Sequence, residues 1–220
     1  MNCYLFNIDR SYQETGSFTV MTWIKTAGSC LRYILQMLYR NSPNGYGAIA
    51  LSLHWLTAGL VVIAWASGTF DDVLPKGAAR AIGLFVHISA GLAILLVLAL
   101  RLLWRLGDPP PPPEPTMLGK WIDRAGHFAH YALYALLIAA VAAGIVLQFA
   151  RGNALPIFGL FEIPSAWPAN RAFSRSVKEV HEVLANSLVI LAGLHAAAAL
   201  FHHWLLGDRT LVRMLPRFMR

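Results

Sequence analysis

Apolar residues collect in four long runs along the chain, separated by short polar stretches. The runs cover about 48–70, 84–106, 127–150 and 180–206. Each is long enough to cross a hydrocarbon core of roughly 30 Å at ~1.5 Å per helical residue. The pattern predicts an all-α fold, an integral membrane four-helix bundle. Ala142, Ala143 and Gly144 in the third run, and Ala196 to Ala199 in the fourth, leave room for close helix approach or for a flat ligand. Trp65, Trp104, Trp121, Trp167 and Trp204 fall at or beyond the ends of the runs, as an aromatic belt would.

Residues 1–45 break the pattern and are read as an N-terminal extension to a transmembrane domain spanning 46–220. Lys25 and Arg32 interrupt the partly apolar stretch from Phe18 to Leu38, and the small-residue cleavage site of a signal peptide is missing. An amphipathic helix at the interface is one reading. The preferred expectation is that translation starts at Met37 and that residues 1–36 are not native. Pro109 to Pro113, with Pro115, predicts a stiff polyproline spacer between the second and third spans.

Composition supports a bilayer as solvent. Of 220 residues 57% are hydrophobic and 13% charged, with a mean hydropathy of +0.53. A soluble domain of this size could not hide so much apolar surface. Cys3 and Cys30 are the two cysteines, without CxxC or CxxCH spacing, which excludes a zinc ribbon and covalent haem attachment. The net charge of +7 is read as topology and contact with membrane lipids, not as nucleic-acid binding. Segments 1–47, 101–126 and 207–220 carry four Lys/Arg each and share one side, so the positive-inside rule places both termini in the cytoplasm. The opposite side carries Lys76 and Arg80 in one connection and Arg151, Arg171, Arg175 and Lys178 in the other. The second connection, about 151–178, is either a solvated loop touching headgroups or an electrostatic guide for an anion.

Eight histidines supply the candidate chemistry, all in or beside the apolar runs. Ionisable groups at membrane depth are costly unless paired, which makes them functional candidates. His181 and His195 are 14 residues apart, so they share a helix face and lie ~21 Å apart along the axis. That is too far for one metal ion and suits two stacked sites. Counting depth from the span ends matches His54 with His195 and His87 with His181. Two imidazole pairs on facing helices fit two b-type haems, each with its iron saturated by axial nitrogen and so suited to electron transfer. For His127, His130, His202 and His203, on the cytoplasmic side, three readings stay open: a quinone pocket, a zinc or copper site, and polar interfacial residues or haem-propionate partners.

From about Gly45 onward the chain resembles the bacterial di-haem cytochrome b561 family, more narrowly its superoxide oxidase branch. The likeness is carried by SLHW at His54, VHISAGL at His87, RGN at Arg151, HEVLAN at His181, GLHAAAALFHHW at His195 and the closing TLVRMLP. It implies haem ligands at His54, His87, His181 and His195 in the same pairing. It also implies an inner-membrane enzyme that oxidises periplasmic superoxide to dioxygen and passes electrons through two haem b groups to ubiquinone. Arg151, Arg171, Arg175 and Lys178 would then guide superoxide, with Lys76 and Arg80 secondary. No obligatory protein partner is expected. The alternatives are a cytochrome b subunit of a larger dehydrogenase or hydrogenase complex, and a histidine-dependent proton or metal transporter.

Overall fold

The computed structural model describes residues 39–114 and 119–215. The two cysteines, the Phe18 to Leu38 stretch, the proposed start at Met37 and Pro115 lie outside the described residues. Four helices dominate: α1 (Ala48–Thr69), α2 (Ala78–Gly107), α3 (Lys120–Ala150) and α4 (Arg171–Trp204). All four are long and apolar enough to cross a membrane. Large apolar side chains such as Val62, Leu103 and Ile190 point outward, as lipid-facing residues do.

Local chemistry sets the helix ends. Gly47 precedes α1 where a β-carbon would collide with the backbone of Tyr39 and Arg40. At the end of α2, Asp108 leads into the proline run, which cannot continue a helix. Past α3, Gly152 takes a positive φ of 76° and its N–H donates to the Phe149 carbonyl at 2.8 Å, a left-handed cap. Before α4, the Asn170 side chain accepts from the Phe173 N–H at 3.0 Å.

That last cap revises the predicted span. α4 has 34 residues, ~50 Å of helix, and begins nine residues before the apolar run at 180. Arg171, Arg175 and Lys178 therefore stand on the first turns of a helix and are not in a loop. Hydropathy registers only the apolar part, whereas the N-cap and the Lys178–Glu182 pair at 3.1 Å sustain helix beyond it.

α1 packs along α2 and α3 along α4, while the seams between these two helix pairs are thinner. A cluster of Ile94, Leu98, Leu137 and Leu188 fills the middle of the bundle, with Leu60, Val61 and Leu133 against it. At one end the α3–α4 connection forms a small antiparallel hairpin, β1 (Leu155–Ile157) and β2 (Phe161–Ile163). Its turn uses Phe158 and Gly159, both at positive φ. Leu155 is buried and Gly159 lies against Phe85 of α2, so the hairpin ties this connection across to the first helix pair.

The opposite end is knotted by two buried charges. Asp108 accepts from Arg40 at 3.2 Å, from the Asn41 N–H at 2.9 Å and from Trp104 at 3.2 Å. Arg213 donates to the carbonyls of Pro43 at 2.7 Å and Pro112 at 2.9 Å, and pairs with Glu114 at 3.4 Å. The segment before α1, the α2–α3 connection and the segment after α4 thus meet at one end, as their shared positive charge anticipated.

Candidate functional site

Two levels of histidine lie on either side of the apolar cluster. At the hairpin end, His87 of α2 faces His181 of α4 across the seam between helix pairs. Their rings meet edge to face with centres 5.8 Å apart. His87 Nδ1 lies 2.7 Å from the Ala64 carbonyl, and His181 Nδ1 lies 2.9 Å from that of Ala140. A carbonyl can only accept, so both Nδ1 atoms carry a proton, and in a neutral ring Nε2 is then the nitrogen that can bind a metal. Glycines make room for the two rings. A β-carbon on Gly68 would sit 2.8 Å from the His87 ring, and one on Gly144 would sit 3.2 Å from the His181 ring.

At the knotted end the histidines come from three helices. His195 of α4 and His130 of α3 meet edge to face at 5.0 Å. His130 donates from Nδ1 to the Gly126 carbonyl at 2.7 Å. His54 of α1 joins them within electrostatic reach of both, its ring edge-on to Trp55 at 5.4 Å. The sequence-derived partner of His195 was His54; the structure brings His130 to the same level as well. His202 lies farther along α4, bonded to Asp208. His127 is exposed one turn before His130. His203 sits half-buried beside His202.

The donors at the hairpin end fit a haem iron. Two imidazoles bound to one metal at about 2 Å each place their ring centres roughly 6 Å apart, close to the separation of His87 and His181. Anchored Nδ1 protons are the outer hydrogen bonds that orient metal-binding histidines. A buried Ser89 hydroxyl, two residues past His87, has no hydrogen-bond partner among the described residues and adds an unsatisfied polar atom to this level.

A family model described as prokaryotic cytochrome b561 matches residues 45–217. The chain belongs to the prokaryotic cytochrome b561 family. It is similar to the probable superoxide oxidase CybB of Yersinia pestis, 36% identical over 176 residues, covering 78% of this chain and 96% of that protein. It is similar also to cytochrome b561 homolog 2 of Escherichia coli, 34% identical over 190 residues, 82% of this chain and 96% of the relative. Cytochrome b562 of Cereibacter sphaeroides is 29% identical over 181 residues, 79% and 97% of the two chains. As a b561 cytochrome the protein is a multi-pass bacterial membrane protein of electron transfer, and its family implies haem b.

Charge is distributed unevenly around the two levels. At the hairpin end, Arg151 closes α3 within electrostatic reach of His181. Lys178 is paired with Glu182, and Arg80 faces Asp71 at 3.9 Å and the Leu74 carbonyl at 3.3 Å. Arg151, Arg171 and Arg175 have no carboxylate partner among the described residues. At the knotted end, Arg101 of α2 lies over the Tyr134 ring, 5.4 Å from its centre, within electrostatic reach of His54, His130 and His195. The sequence reading used Arg101 only as a topological charge. Its signal was there, a lone guanidinium inside LALRLLW, and in this place it suits the carboxylate of a bound cofactor. The Trp65 indole N–H donates to Asn186 at 3.2 Å, linking α1 to α4.

Proposed function

We propose that this b561 cytochrome is a superoxide:ubiquinone oxidoreductase of the bacterial inner membrane, with both termini in the cytoplasm. The observation that carries the reading is Arg151, a cation without a carboxylate partner among the described residues, beside the outer His87–His181 pair. Arg171 and Arg175 extend that positive field along the exposed start of α4. Superoxide is an anion that crosses a bilayer poorly, and a positive field raises its local concentration and rate of encounter. The similarity to a protein named probable superoxide oxidase points the same way.

Two haem b groups, one per level, supply one-electron transfer when bound. His87 and His181 hold the outer one. His54 and His195 hold the inner one, with His130 and Arg101 beside it. Oxidising superoxide to dioxygen needs no proton, so the outer end requires only attraction and access. Quinone reduction needs protons, which suits the polar inner end around His127, His130, His202 and His203.

Purified protein, a superoxide source and a short-chain ubiquinone test the reading. Superoxide consumption that depends on quinone is expected. A haem-loaded protein without it would be an electron-transfer subunit awaiting another donor.

A further inference from the structure

Four half-buried histidines in this bundle hold their Nδ1 protons in two different ways. His87, His130 and His181 donate to backbone carbonyls. His202 has its Nδ1 on a carboxylate, Asp208, at 2.5 Å, with both side chains 15% exposed. Asp208 is itself fixed by the Thr210 N–H at 2.9 Å, and its own N–H donates to the His202 carbonyl at 3.2 Å. Burial alone raises the Asp208 carboxyl, but the hydrogen bonds from His202 and Thr210 outweigh it and hold the group below the usual carboxylate range. Asp208 is thus a fixed anion at the end of α4.

Helix geometry places this pair just beyond His195 on α4. His202 follows His195 by seven residues, so the two lie on nearly one stripe of α4, ~10 Å apart along its axis. His195 belongs to the inner level, and His202 lies between that level and the membrane surface.

We infer that His202 and Asp208 form the proton relay of the acceptor side, with Asp208 as the positioning residue. This inference rests on the proposed quinone acceptor. Two superoxide ions yield two dioxygen molecules and two electrons. The quinone takes those two electrons and two protons. In each transfer the N–H bond at His202 Nε2 breaks and an O–H bond forms at a quinone oxygen. The neutral imidazole then takes a proton from water at that membrane surface. Asp208 holds the Nδ1 tautomer, so that Nε2 is the exchanging atom, and gives the charged ring a counter-ion.

The test uses the full haem-loaded protein with its haems reduced chemically, which leaves superoxide out, followed by rapid mixing with a short-chain ubiquinone. Asp208→Asn should slow haem oxidation about tenfold or more, since a positioned acid typically contributes at least that factor. The quinone KM should be unchanged within about threefold, and the solvent deuterium isotope effect should rise. Asp208→Glu should restore most of the rate. Should Asp208→Asn lose its haems, His202→Gln carries the same readouts. Oxidation at the wild-type rate in whichever variant keeps both haems overturns the relay. Wild-type protein that does not pass electrons to the quinone removes both the acceptor and the relay, while leaving the superoxide side to its own assay.

Discussion

His181 donates its Nδ1 proton to the carbonyl of Ala140 at 2.9 Å, which turns its other nitrogen toward the seam where His87 meets it. The bond joins α4 to α3, so the ring is oriented by the helix it packs against. His87 is held likewise by Ala64 of α1. All four helices thus take part in one site, two supplying rings and two supplying acceptors.

Removing either outer ring separates the two levels. His87→Ala or His181→Ala should lose the outer haem and superoxide reactivity, while the inner haem remains. Visible absorbance and haem quantitation on purified variants check this. Two haems retained in either variant would show that the outer pair is not a ligand set.

Steric room beside the ligands gives a second test. Gly68→Ala places a methyl carbon 2.8 Å from the His87 ring and should displace it, at a cost of about 1–3 kcal/mol. The readout is a shifted outer-haem spectrum or lost outer haem. Gly59→Ala, on the same helix but open to its surroundings, should leave the spectrum unchanged.

Pairing at the outer surface ranks the cations. Arg171→Gln with Arg175→Gln should slow superoxide capture and flatten its dependence on ionic strength. Lys178→Gln should do less, because Glu182 already offsets that charge. Superoxide-driven haem reduction at several salt concentrations measures both. An unchanged rate and slope in the double variant would leave the cations no guiding role.

The knot at the other end predicts a stability effect without a spectral one. Arg213 is buried and ties three segments together. Arg213→Ala should cost about 2–4 kcal/mol, the range for breaking a buried charged network. Thermal unfolding of the detergent-solubilised protein should shift downward while the haem spectrum stays the same.

Much of this was legible from spacing alone. The 14-residue interval between His181 and His195 fixes a shared face, and chain direction fixes depth, so two levels follow from one helix period. The His87–His181 contact needed no further information. Other features depend on neighbours that no single helix reveals. His130 reaches His195 because α3 packs along α4. Arg101 becomes part of the inner level only once α2 is placed beside Tyr134. Arg171 to Lys178 read as loop because hydropathy cannot distinguish a polar helical turn from a connection. Arg213 finds its partners on segments more than a hundred residues away, in the carbonyls of Pro43 and Pro112. The hairpin was hidden by its turn, where Phe158 occupies a positive φ that bulky residues rarely adopt.

Haem stoichiometry of the purified chain, read together with its low-spin spectrum, tests the two-level arrangement most directly. Two haem b per polypeptide, both with paired imidazole ligands, is the expected result. A single haem, or none, would contradict it.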